Sequence, residues 1–149
     1  MHIIATLAVF CLSVSALTGE TRAGTGADSD TQFDLNQRSE QGLANAEAEL
    51  NRTYQKVRKI YSADPIFLRK LQRSQDLWKQ FRDAEIEVEY PHTDKAGYYG
   101  SVYPMCVADY EAALTRERVE ILKRWISGTE EGDVCAGSVR FSRGPTRNR

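Results

Sequence analysis

Residues 50–71 read LNRTYQKVRKIYSADPIFLRKL, and the break Ser62-Ala63-Asp64-Pro65 inside this stretch decides the fold. Before the break, Leu50, Tyr54, Val57 and Tyr61 recur at steps of three and four, which marks one face of a helix. At the break, Asp64 suits the cap of a second helix and Pro65 its first position, where a missing N–H is harmless. A connection this short makes the two helices antiparallel neighbours. Toward the N-terminus the stripe continues through Ala46, Leu43 and Leu35, predicting a helix over 32–61. Toward the C-terminus, Leu68, Leu71, Trp78, Phe81, Glu85 and Val88 share a face that Leu77 and Ala84 widen. They predict a second helix over 65–90, ending before Pro91.

Residues 91–104 (PHTDKAGYYGSVYP) carry two prolines and two glycines and read as a long loop. A third helix over 104–127 follows, with Val107, Tyr110, Leu114, Ile121 and Trp125 in phase, Ala113 and Leu122 beside them, and Gly128 as its C-terminal cap. The expected fold class is therefore all-α, an antiparallel bundle of about three helices.

The flanks read differently. Residues 3–14 (IIATLAVFCLSV) form an uncharged apolar run of signal-peptide length, too short for a permanent bilayer span. Residues 1–23 are expected to be an export signal, cleaved after Ala16 or Ala23, with 24–31 a polar disordered linker. A periplasmic or secreted location follows, with no membrane association after cleavage. Residues 128–149 lack periodicity and read as a flexible basic tail.

The 149-residue chain has a net charge of −1 and a mean hydropathy of −0.52, too polar for a membrane bundle. The balance conceals an asymmetry. Residues 24–136 hold 15 Lys and Arg against 20 Asp and Glu, whereas 137–149 hold four arginines and no acid. An acidic body argues against nucleic acid and favours a cationic protein partner.

Little in the sequence suggests catalysis. His92 is the single histidine after the signal, Ser101 nine residues on is a chance-level pairing, and no metal or cofactor motif is present. Neither a catalytic residue nor a cofactor is expected. Glu85, Glu87 and Glu89, near His92 and Asp94, make an acidic helix end whose spacing fans the carboxylates over about 200° instead of converging on a cation. Tyr90, Tyr98, Tyr99 and Tyr103, interleaved with Gly97, Gly100 and Ser101, give a paratope-like loop. The same tyrosines also suit a cap folded back on the open end of the bundle. Arg118 occupies an apolar place on the third stripe, so a buried ion pair with Asp83 or Glu47 is expected there.

Cys106 and Cys135 would pair by default in an oxidising compartment. A straight helix from Cys106 to Ser127 covers about 31 Å, and the residues from Gly128 to Cys135 return at most roughly 28 Å. An intrachain bridge thus requires a shorter or bent helix; an intermolecular bridge and two free thiols are the alternatives.

Four pieces of this chain, in order, resemble one family. They are Ala46-Glu47-Ala48-Glu49-Leu50-Asn51 with Tyr54, then Gln75 and Trp78 leading into Phe81-Arg82-Asp83-Ala84-Glu85, then Gly100-Ser101-Val102-Tyr103-Pro104-Met105, and Leu114-Thr115 with Arg118. Across residues 35–122 the chain is similar to the lysozyme inhibitor LprI-like N-terminal domain family of small exported bacterial proteins. Positions where that family tends to carry cysteines hold Arg38, Ile86 and Tyr110 here, with Cys106 one turn before the last. The resemblance implies inhibition of lysozyme. Structural roles are expected for Trp78, Phe81, Arg82, Asp83 and Arg118, and the acidic body fits a cationic lysozyme as protein partner, with Tyr98, Tyr99, Tyr103, Glu85, Glu87 and Glu89 as the expected contacts. The alternative partner class is a non-lysozyme protein met by a periplasmic adaptor or envelope-stress protein.

Overall fold

The structure, a computed structural model, describes residues 30–142; the expected signal, most of the linker and residues 143–149 lie outside them. Three long helices dominate: α1 (Gln32–Ile60), α2 (Pro65–Glu89) and α4 (Tyr103–Ser127). Between the last two lies a short α3 (Lys95–Tyr99), then a 3₁₀ turn at Gly100–Val102. The fold is all-α, and the long helices fall within a residue or so of their sequence-predicted bounds.

Local chemistry sets those bounds. Thr31 and Asp34 form a reciprocal capping box at the start of α1. Asp64 accepts from the backbone N–H of Phe67 at 2.9 Å, with Pro65 at the first position of α2. Gly128 ends α4 at φ 82°, in the left-handed region. Any side chain at Gly128 would strike the returning chain, since a Cβ there lies 2.6 Å from the Arg140 carbonyl oxygen.

The sequence-predicted loop 91–104 is more ordered than expected. Asp94 caps α3 by accepting from the Gly97 N–H, so most of the loop becomes helical turns.

Helix α2 runs antiparallel to α1 and α4, which lie parallel to each other. Asn36 reaches the Ser101 carbonyl at one end of that pair, and Tyr61 reaches the Trp125 carbonyl at the other. Leu50, Tyr54, Val57, Leu71, Val119 and Leu122 form the core, closed at the α1–α2 turn by Tyr61, Phe67 and Trp125. These rings meet at centroid distances of 4.2 to 5.9 Å. Toward the other end, small buried residues take over: Ser39 and Ala46 on α1, Ala108 and Ala112 on α4. Small side chains let α1 and α4 approach closely there.

Two expectations need correction. Residues 129–142 of the expected flexible tail fold back on the bundle. Thr129 and Phe141 form a bridge, Ala136 and Val139 are buried, and the Arg140 N–H donates to the Tyr61 hydroxyl. Their few apolar contacts are too sparse to produce a periodic signal. The second concerns Cys106 and Cys135, which are free thiols. Helix α4 runs without interruption from Tyr103 to Ser127, so Cys106 sits at one end of the bundle and the chain carrying Cys135 returns to the other.

Candidate functional site

The second half of α2 breaks the expected packing. Phe81 is 54% exposed and Val88 74%, and Leu77 is exposed as well. The buried or half-buried face of the helix runs through Leu71, Gln75, Trp78 and Arg82 instead. At 100° per residue, Leu77, Phe81, Ala84 and Val88 line up on a separate stripe about 120° away. Glu85 flanks that stripe on one side and Glu87 on the other. The apolar spacing is real, but it divides between a face that packs and one that meets solvent. Phe81 therefore does not have the core role expected for it.

Arg82 is half-buried among carboxylates. Its guanidinium reaches Asp83 at 2.9 Å, Glu111 at 2.9 Å and Glu47 at 3.7 Å, and lies over the Trp78 ring at 5.5 Å. It thereby ties α2 to both other long helices. Asp83 and Glu47, the expected partners of Arg118, belong to Arg82 instead. Arg118 takes neutral oxygens: Nε donates to Gln75 Oε1 at 3.1 Å and Nη2 to Ser74 Oγ at 3.0 Å. Arg118 lies level with Ser74 and Gln75, about two turns along α2 from Arg82 and Asp83, which explains the exchange.

The tyrosines form one aromatic cluster at this end of the bundle. Tyr90 meets Tyr99 and Tyr103 edge-on, each at 5.3 Å, and Tyr99 stacks against Tyr103 at 5.7 Å. Tyr98 stacks on His92 at 3.5 Å, and the Tyr99 hydroxyl accepts from the His92 backbone N–H. Lys95 donates to the Tyr90 carbonyl, pinning α3 to the end of α2. Burial pushes the Tyr90 phenol upward in pKa, and Cys106 and Glu89 push the same way. Tyr99 and Tyr103 are half-buried in this cap, whereas Tyr98 is 64% exposed. The cluster caps the bundle, as one reading of the loop expected, and Tyr98 is the tyrosine left facing outward.

The three glutamates do not act as a group. Glu85 and Glu89, four residues apart, share the side of α2 facing α4, where both add to the rise that desolvation begins in the Tyr110 pKa. Glu87 is exposed on another face. Among the described residues no three His, Cys, Asp or Glu side chains converge as a metal site, and no helix is long and apolar enough to cross a membrane.

This end of the molecule exposes Tyr98 on a pinned turn, an acidic helix end, and an apolar stripe edged by Glu85 and Glu87. The sequence pointed to the tyrosines and acids but assigned the stripe to the core. The offset of Leu77, Phe81, Ala84 and Val88 from Leu71, Gln75, Trp78 and Arg82 is the signal that separates the two faces.

The fold is a small helical bundle with Tyr98 and an apolar stripe exposed toward one end. The chain belongs to the lysozyme inhibitor LprI family, whose sequence model matches residues 23–122. That match takes in α1, α2, the tyrosine cap and most of α4, and stops before the returning segment. A curated relative, the uncharacterized protein R02472 of Rhizobium meliloti (strain 1021), is 32% identical over 114 residues, covering 67% of this chain and 77% of that protein. No solved structure matches.

Proposed function

We propose that this chain is an exported protein that binds a cationic lysozyme and inhibits it by occluding its cleft. The family match across the helical bundle is the observation that carries this reading. Charge supports it: from Asp83 to Glu89 the chain has four acids and no base, and Arg82 just before them is spent on ion pairs inside the bundle. An acidic face of this kind accelerates encounter with a basic enzyme and disfavours basic competitors. Contact then falls to Tyr98, presented by α3, and to the apolar stripe of Leu77, Phe81 and Val88. Aromatic and aliphatic anchors ringed by polar groups are the usual source of binding energy in such interfaces. Tyr99 meets Tyr98 at 4.9 Å and is itself stacked on Tyr103, which holds Tyr98 in place, while Glu85, Glu87 and Glu89 supply the field.

The test is direct. Purified chain lacking residues 1–23 should slow lysozyme-driven lysis of cell walls in a dose-dependent way. Unchanged lysis at about a hundredfold molar excess over several lysozyme types would remove the proposal.

A further inference from the structure

At the opposite end of the bundle from the tyrosines, the first half of α2, the second half of α4 and residues 136–139 enclose a groove of about 560 Å³. Its apolar walls include Phe67, Ile121, Trp125 and Val139, and its cations are Lys70, Arg118 and Arg124. Its one carboxylate, Asp64, is already committed to capping α2. Arg118 is the unusual member. It is only 8% exposed, yet among the described residues no carboxylate lies within ion-pair distance. Two of its nitrogens donate to Gln75 and Ser74, and the Trp78 ring lies 5.9 Å from the guanidinium carbon. Nη1 makes no hydrogen bond among the described residues. Burial pushes the Arg118 pKa down, the expected response of a cation short of a counter-ion.

A cation so largely buried without a counter-ion is unfavourable even with one nitrogen open to the groove, and an apolar side chain of similar size would fix helix register without that penalty. The retained charge therefore points to an anion. Apolar walls with few neutral polar side chains suit hydrocarbon better than a sugar or a nucleotide. We propose that this groove binds an amphipathic monocarboxylate of the medium-chain fatty acid class, its head on Arg118 with Lys70 and Arg124 at the rim, and its chain along Phe67, Trp125 and Val139. The site is independent of lysozyme, and its far wall lies outside the family match.

Decanoate, kept below its micellar range, is the probe, with decanamide as its uncharged counterpart. Trp125 lines the groove, so intrinsic fluorescence and titration calorimetry of the whole protein both report occupancy. Saturable one-to-one binding of decanoate is expected, with at least tenfold weaker binding of decanamide. Arg118→Met should lower decanoate affinity at least tenfold while raising the melting temperature of the free protein. Should Arg118→Met fail to fold, Lys70→Gln with Arg124→Gln, both on exposed side chains, should weaken decanoate and leave decanamide unchanged. Equal affinity for the two probes, a melting temperature that falls in decanoate, or no saturation below the millimolar range would each overturn the proposal.

Discussion

The two halves of α2 carry similar apolar spacing and meet opposite fates. In the first half, Phe67 and Leu71 are covered by Tyr61, Trp125 and Leu122. In the second, Leu77, Phe81 and Val88 stay open to solvent. The two sets lie on different faces: Phe67 and Leu71 belong to the packed face, whereas Leu77, Phe81 and Val88 follow the stripe about 120° round from it, as does the exposed Ile66 in the first half. Large side chains of α1 and α4 fill the space beside the first half. Beside the second, small residues draw α1 and α4 together, and the α2 contact passes through long polar side chains, Arg82 above all. On the proposed function, stability and recognition divide between different parts of one helix, and this division can be tested.

The largest effect belongs to the closed half. Leu122→Ala removes a side chain that is almost fully buried against Val57 and Leu71. It should cost about 2–5 kcal/mol by chemical denaturation, the range for a cavity in a packed core. A loss below about 1 kcal/mol would show that the core is loose and that the two halves do not differ. Phe81→Ala provides the contrast: despite the larger truncation, half-exposure should hold the stability change to within about 1 kcal/mol. The same variant should weaken lysozyme inhibition at least tenfold, about 1.4 kcal/mol in binding, if the stripe is the anchor. Stability lost without inhibition lost would return Phe81 to the core.

A smaller effect concerns the field around the stripe. Glu87 is exposed and has no ion-pair partner among the described residues, so Glu87→Gln should leave the fold untouched. The expected outcome is a two- to fivefold slower association with a basic lysozyme at low salt, read by stopped-flow or surface binding. Near 0.5 M salt, where screening shortens to a few ångströms, the difference should vanish. A loss that persists at high salt would mean direct contact in place of steering.

Most of the architecture was legible because it rests on local signals. Asp64-Pro65, Gly128 and the three- and four-residue steps act within a turn or two of themselves, and the helices start and stop where those residues require. The failures all concern what lies across from a residue. Periodicity shows that Phe81 and Val88 share a side with other apolar residues, but not that this side of α2 meets solvent instead of α1 and α4. It marks Arg118 as out of place, but not that Arg82 reaches Glu47 and Glu111 first. The returning segment was missed for the same reason: Ala136, Val139 and the Arg140 N–H are held by Tyr61 and its neighbours, some eighty positions away in the chain. Of the contact surface, the tyrosines and acids could be read from composition, while the division of labour among them required geometry. Tyr90, Tyr99 and Tyr103 brace one another, and Tyr98 is the one presented.

The smallest expected effect lies at the border between the halves, where Glu111 faces Arg82 with Glu47 and Asp83 around the same guanidinium. Burial pushes the Glu111 carboxyl pKa up, Arg82 pulls it down, and Glu47 and Asp83 push it up again, leaving it raised. A carboxyl raised on folding is held protonated more firmly by the native chain than by the unfolded one. Ionising it therefore works against folding: stability falls as pH climbs from the unfolded value through the raised native one, then levels off. Glu111→Gln keeps a neutral group there at every pH and forgoes the Arg82 pair. Melts of the two proteins between about pH 4 and pH 7 should show the parent losing ground to Glu111→Gln as pH rises, by about 1 kcal/mol or less. The opposite trend would mean that the attraction of Arg82 outweighs burial. The border would then be held by its ion pairs, and the open half of α2 would be anchored by charge instead of by the packing of Trp78 and Arg82 against α4.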